Sequence, residues 1–214
     1  MFMESWPWKR DLGEAAERLD VADQMPNLGV REDDDPHFND DDEVEAFYRV
    51  ERDVMSGCFA VRRLIGMPSK VTQHARATKA AVTQFPLLAG ARVPHALEGL
   101  DVLDIYRLEA STRVVISANE LCNLFVHSLI FRFAWTIKGL SWADWRALGE
   151  DDPRIDDPTR LAGFLVATDK SSGGHLTLVD LQELVRIFRI FAQDEVKQVV
   201  ATRDYKGRAH VSAS

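Results

Sequence analysis

The sharpest pattern in the chain starts at Ser117-Ala-Asn-Glu120, an S-x-x-E tetrapeptide directly before an apolar run. In such a box the serine hydroxyl and the glutamate carboxylate satisfy two orphan backbone N–H groups reciprocally, so the spacing predicts a helix N-terminus at about residue 118. Leu121, Leu124, Phe125, Val126, Leu129, Ile130, Phe131, Phe133 and Trp135 then cover nearly every direction around a helical axis. A helix that is apolar all round is surrounded by protein, and residues 118–136 are expected to form one buried central helix.

Other periodicities fill in the surroundings. Leu12, Ala15, Ala16 and Leu19 predict an amphipathic helix over 8–22, with Trp6 and Trp8 packed on the body. Phe47, Val50, Val54, Val61 and Ile65 recur at helical spacing until Gly66 and Pro68 stop the pattern. Residues 77–89 read as a strand and turn around Phe85-Pro86, and 100–108 as a short helix. Trp142 and Trp145 mark a helical turn before an exposed loop that runs to about residue 160. Then the period changes. Leu161 to Thr168 and His175 to Val179 read as strands joined by a turn at Ser171-Ser-Gly-Gly174, and Leu181, Leu184, Val185, Phe188 and Phe191 form a stripe on a helix of 180–193. Strands at 195–203 and 208–212, joined by Tyr205-Lys-Gly207, close the chain. The class is α+β: a helical N-terminal two-thirds, then a C-terminal β-β-α-β-β antiparallel sheet layer. The 214 residues form a single domain, with 1–150 and 160–214 as its two candidate lobes.

Composition narrows the function classes. The net charge of −8 opposes broad attraction to nucleic acid or anionic lipid, although Arg62, Arg63, Lys70, Arg76 and Lys79 make a local basic cluster that reads as a solvated helix end. Nine of the fifteen residues in 31–45 are acidic. Such density cannot bury itself, so this segment reads as a loop entering the next helix, whose N-terminus Asp40, Asp41 and Asp42 favour. With Asp33, Asp34 and Asp35 they also form a candidate partner-binding surface, a row of negative charge suited to a basic protein such as a nucleic-acid enzyme. The segment lacks the D-x-D-x-D-G spacing of a calcium loop, and no metal site is expected. Cys58 and Cys122 lie in apolar patterns without a C-x-x-C spacing, and read as buried free thiols in a reducing, cytoplasmic compartment. The first residues lack the apolar core of a secretory signal, and the longest apolar stretch, broken by Asn123, His127 and Arg132, is too short and polar to span a bilayer of about 30 Å. A soluble protein is expected.

Candidate chemistry centres on Asn123 and His127. Four residues apart, they share one face of an otherwise apolar helix, where an unpaired buried polar group costs about 1–3 kcal/mol. Their partners are structural (each other, Ser128, Glu51 or Arg52) or catalytic, because imidazole titrates at about 6.5 in water and suits proton transfer at neutral pH. Asp169-Lys170 reads as turn chemistry. No Gly-rich phosphate loop and no G-x-S-x-G elbow is present, and no cofactor is implied.

Cys122-Asn-Leu-Phe-Val-His127 resembles a degenerate R-N-x-x-x-H motif of HEPN ribonucleases, helical proteins of bacterial toxin and defence systems. Cys122 stands where the motif has arginine. The resemblance implies a metal-independent ribonuclease, commonly a homodimer, in which His127 and Asn123 act with a guanidinium borrowed in space from Arg52 or Arg132. Against that stands the reading the residues favour, a non-enzymatic binding or regulatory protein whose partner is another protein. An enzyme needs His127 open to a cleft beside a cation, whereas a binder permits it to be sealed in the core.

Overall fold

The structure is a computed structural model that describes residues 4–22, 40–94, 104–148, 152–154, 160–206 and 208–214. Its elements are α1 (Trp6–Ala22), α2 (Asp40–Ile65), α3 (Gln73–Arg76), β1 (Lys79–Pro86), β2 (Thr112–Ser117), α4 (Ala118–Val126), β3 (Ser128–Thr136), α5 (Trp142–Arg146), β4 (Arg160–Thr168), β5 (His175–Asp180), α6 (Leu181–Gln193), β6 (Val199–Arg203) and β7 (Ala209–Ala213). Five strands form an antiparallel sheet in the order β2-β1-β5-β4-β3, while β6 and β7 pair only with each other. The class is α+β, as the alternation of periods predicts.

Helices cover one face of the sheet, with α4 and α6 against the strands and α1 and α2 packed on those two helices. α1, α2, α4 and α6 share a single core with Ala80, Val82, Phe164, Val166 and Val179 of the strands. Phe85, Ile130, Ala134, Leu165, Ala167 and Leu176 point to the opposite face, where Trp142 of α5 and Tyr106 cover part of it. There the Phe85 and Trp142 rings lie 5.4 Å apart, and buried Tyr106 donates its hydroxyl to Ser172 O at 2.8 Å. Burial pushes that phenol up to about 12.

The expected central helix is corrected by half its length. α4 begins at Ala118, capped by Ser117 as the box predicts, but it stops after nine residues at Val126, and residues 128–136 are strand β3. The reason is in the alternation: Ile130 and Ala134 face one side of the sheet, Phe131, Phe133 and Trp135 the other. A strand buried on both faces is apolar at nearly every position, a pattern that cannot be told from a buried helix by period alone. The N-terminal two-thirds is therefore not wholly helical: β1, β2 and β3 belong to it.

Other expectations are met or adjusted. α1, α2, α5 and α6 lie where the spacing places them, with α2 ending at Ile65 before Gly66 and Pro68. Trp8 packs on the core, whereas Trp6 is 64% exposed, with the Arg10 guanidinium 4.9 Å from its ring centre. The described part of the expected 100–108 helix is a turn, in which Tyr106 bridges to Leu87. The C-terminal β-β-α-β-β order is present, but its strands divide: β4 and β5 join the large sheet and β6–β7 stands as a separate hairpin. Of the acidic segment, 31–39 lies outside the described residues.

Two glycines permit the layers to close. A Cβ on Gly57 would lie 2.2 Å from the Phe188 ring, where α2 crosses α6, and one on Gly163 would lie 2.1 Å from Val179 O. The second neighbour is backbone of the paired strand and cannot rotate away. Gly163→Ala is thus expected to cost about 3 kcal/mol, read as a lower urea midpoint. Gly174→Ala, whose methyl meets nothing nearer than 3.6 Å, should shift stability by no more than about 0.5 kcal/mol.

Candidate functional site

α4 is held at both ends. Ser117 Oγ accepts from Glu120 N at 3.2 Å, and the Glu120 carboxylate accepts from Ser117 N and Oγ, each at 2.8 Å. Those bonds, Ser117 N–H first, keep the Glu120 carboxyl below its ordinary range. At the other end His127 is the C-cap, and its N–H donates to Asn123 O at 3.1 Å. The chain then turns into β3, so His127 sits exposed at a corner rather than within a continuous helix.

This corner opens on a cleft of about 780 Å³ between α2, α4 and the β4–β5 turn. Arg62 of α2, Asn123 and His127 of α4, and Asp169 and Lys170 of the turn line it. The turn is rigid: Ser171 N donates to Thr168 O at 3.0 Å, Ser172 N donates to the same oxygen at 2.8 Å, and Ser171 Oγ accepts from Thr168 N at 2.9 Å. Asp169 and Lys170 project from it into solvent. Among the described residues neither Arg62 nor Lys170 makes an ion pair, and the His127 ring makes no hydrogen bond. Asn123 Oδ1 is shielded from solvent and accepts no hydrogen bond among the described residues. Glu120, also at the rim, is committed to the Ser117 cap.

Arg62 was legible only as part of a basic helix end, a position where cations favour the helix dipole. Nothing in the spacing connects residues 62, 127 and 170; the packing of α2 on α4 and the reversal of β4 into β5 do so. Arg52 stands elsewhere. It lies ten residues before Arg62, about 15 Å along the axis at 1.5 Å per residue, with its Nη2 3.7 Å from Asp53. Buried Asp53 is itself held by Arg18 through bonds of 2.7 and 3.0 Å. Arg132 is exposed on β3 and does not line the cleft.

Cys122 faces the other way. It is fully buried against Cys58 between α4 and α2, and burial, with the neighbouring thiol adding to it, pushes the Cys58 thiol well up. A side chain at position 122 therefore points into the core, and the guanidinium at the cleft comes from α2. Of the acidic candidates, Asp33, Asp34 and Asp35 lie outside the described residues, and Asp40, Asp41 and Asp42 form the first turn of α2. No three His, Cys, Asp or Glu side chains converge as a metal site among the described residues, and no described helix is long and apolar enough to cross a membrane.

A second cleft, of about 710 Å³, lies on the other side of the sheet near Trp142. Its acidic and basic groups are largely occupied. Arg186 clasps Glu183 at 2.7 and 2.8 Å and donates to Lys79 O at 2.7 Å. Glu183 accepts from Ala81 N at 2.8 Å, and Asp180 caps α6. Arg113 lines this second cleft as well, so a cation without an ion pair among the described residues is present in both clefts, whereas two converge in the first.

The fold and the cleft thus define an α+β protein with a charged corner between α2 and α4, where Arg62 and Lys170 meet Asn123 and His127. Comparison with protein-family models, with curated proteins and with solved structures finds no match for this chain.

Removing the cap tests how α4 is held. Ser117→Ala is expected to cost about 1 kcal/mol at neutral pH, read from the urea midpoint. Because the folded Glu120 pKa lies below its ordinary value of 4.5, the contribution of the cap is fully present above that value. It is lost as pH falls through the folded pKa, and the gap between wild type and variant should narrow there.

Proposed function

We propose that this chain is a non-enzymatic binding or regulatory protein of the cytoplasm, and that it recognises an anionic group of its partner in the α2–α4 cleft. The observation that carries the reading is the convergence of Arg62 and Lys170, unpaired among the described residues, on one cleft with Asn123 and His127. A guanidinium can grip a phosphate or carboxylate through two parallel bonds, while an ammonium adds a point charge. Phosphate is the better fit because it offers oxygens enough for donors arriving from three elements. Asp169 at the rim opposes the anion and sets a limit on affinity. The buried free thiols of Cys58 and Cys122 suit a reducing compartment.

A ribonuclease is the second reading, favoured by one observation: His127 is exposed in the same cleft as a guanidinium. In it His127 takes the proton of the attacking RNA 2′-hydroxyl, Arg62 stabilises the phosphorane, and the P–O5′ bond breaks as the 5′ oxygen leaves with a proton from His127 or water.

Calorimetric titration with inorganic pyrophosphate tests the binding reading. Arg62→Ala and Lys170→Ala should each weaken binding by about tenfold or more, the scale of a lost hydrogen bond to a charged group, and Asp169→Asn should strengthen it. Equal binding by wild type and both alanine variants would overturn the site. Incubation with RNA in excess chelator separates the second reading: turnover abolished by His127→Ala supports the nuclease, and intact RNA with wild type removes it.

A further inference from the structure

The β6–β7 hairpin carries a charge opposite to that of the chain. Residues 197–214 hold four Lys and Arg against one Asp, in a protein of net charge −8. β6 is exposed along its whole length, and Tyr205 at the tip is 92% exposed. The single carboxylate is turned inward: Asp204 Oδ1 accepts from Lys206 N and Arg208 N, each at 2.9 Å, while Asp204 N donates to Arg208 O at 3.0 Å. Asp204 therefore holds the shape of the tip and leaves Arg203, Lys206 and Arg208 without an acidic partner among the described residues.

The base of the hairpin is fixed to the body. Lys197 N and Gln198 N both donate to Ser214 O, at 2.8 and 2.9 Å. Upstream, Asp194 is gripped by Thr72 and by Lys9. Arg76 of α3 lines a cleft of about 390 Å³ with Val211 and Ser212 of β7, which brings a member of the basic cluster seen in the sequence up to the hairpin. A lone two-stranded ribbon is marginal in water, and this one adds an exposed ring and three cations at its far end.

These features select among polyanions. Electrostatics alone would suit any acidic surface, but an exposed aromatic beside cations matches the pairing of base stacking with phosphate contacts. Duplex recognition by a ribbon needs base-reading side chains along the face that enters the major groove. The face that Val200, Thr202, His210 and Ser212 share by register carries no Arg, Lys, Asn or Gln, and the other carries only Arg203, next to the turn, so the cations gather at the tip instead. We infer that the β6–β7 hairpin is a finger for single-stranded nucleic acid, in which Arg203, Lys206 and Arg208 take backbone phosphates and Tyr205 stacks on a base. The inference goes beyond the cleft reading and does not rest on it.

Fluorescence anisotropy of the full chain with a labelled oligothymidylate of about 20 nucleotides tests it. Binding should weaken steeply as salt rises. Combined Arg203→Ala, Lys206→Ala and Arg208→Ala should weaken it by about tenfold or more and flatten that salt dependence. Tyr205→Ala should weaken it by about tenfold with the salt dependence unchanged, and Tyr205→Phe should restore it. Circular dichroism of each variant should match wild type, because these side chains are exposed. The inference is overturned if wild type does not bind the strand at low salt, if the triple variant binds as wild type does, or if a duplex of the same length binds as tightly. Arg62→Ala with Lys170→Ala should leave strand binding intact while removing pyrophosphate binding, so the two sites fail independently.

Discussion

The packing around Phe164 is the interaction on which the cleft depends. Its ring, fully buried in β4, meets Phe131 at 5.4 Å, Phe133 at 5.7 Å and Phe125 at 5.8 Å. Phe47 of α2 extends the cluster to Phe133 and Trp135, at 5.2 and 5.9 Å. Each such pair contributes about 0.5–1.5 kcal/mol beyond its buried area. More important is what the cluster joins. Phe125 is the last buried residue of α4 and Phe131 lies three residues into β3, so both sides of the reversal at His127 are pinned to one ring. Because the reversal is fixed, His127 is held at an exposed corner and Asn123 one turn below it.

The surrounding charges follow from that frame. α2 packs on α4 through Cys58 and Cys122, which orients Arg62, one turn after Cys58, toward the α4 corner. The tight β4–β5 turn brings Lys170 from the opposite side. A chain of net charge −8 in this way brings Arg62 and Lys170 together at the cleft and three cations to the hairpin tip, which its overall charge conceals. At the hairpin the one carboxylate holds the tip, since Asp204 accepts from Lys206 N and Arg208 N; at the cleft Glu120 caps α4 while Asp169 stays at the rim.

Much of the fold was legible locally. The Ser117 box, the stripe on α6, the stops after α2 and the turn at 171–174 all rest on contacts within a few residues, and all are present. Residues 128–136 were not legible, because their true neighbours, β4 on one edge and apolar layers on both faces, lie far away in sequence. The same limit hid the pairing of β5 with β1 and of β4 with β3, and the separation of the C-terminal hairpin. At the site, Asn123 and His127 could be singled out as polar residues in an apolar run. The guanidinium beside them could not: Arg62 is joined to them only by helix packing, and its sequence context is that of any basic helix end.

The most direct test of the cleft is to watch its side chains together by heteronuclear NMR during a pyrophosphate titration of the full chain. The structure predicts concerted, saturable shifts at Arg62 Nε, Asn123 Nδ2, the His127 ring and Lys170 Nζ, with one common dissociation constant. Shifts that leave these four groups unmoved, or that move them with unrelated affinities, would contradict the cleft as an anion site.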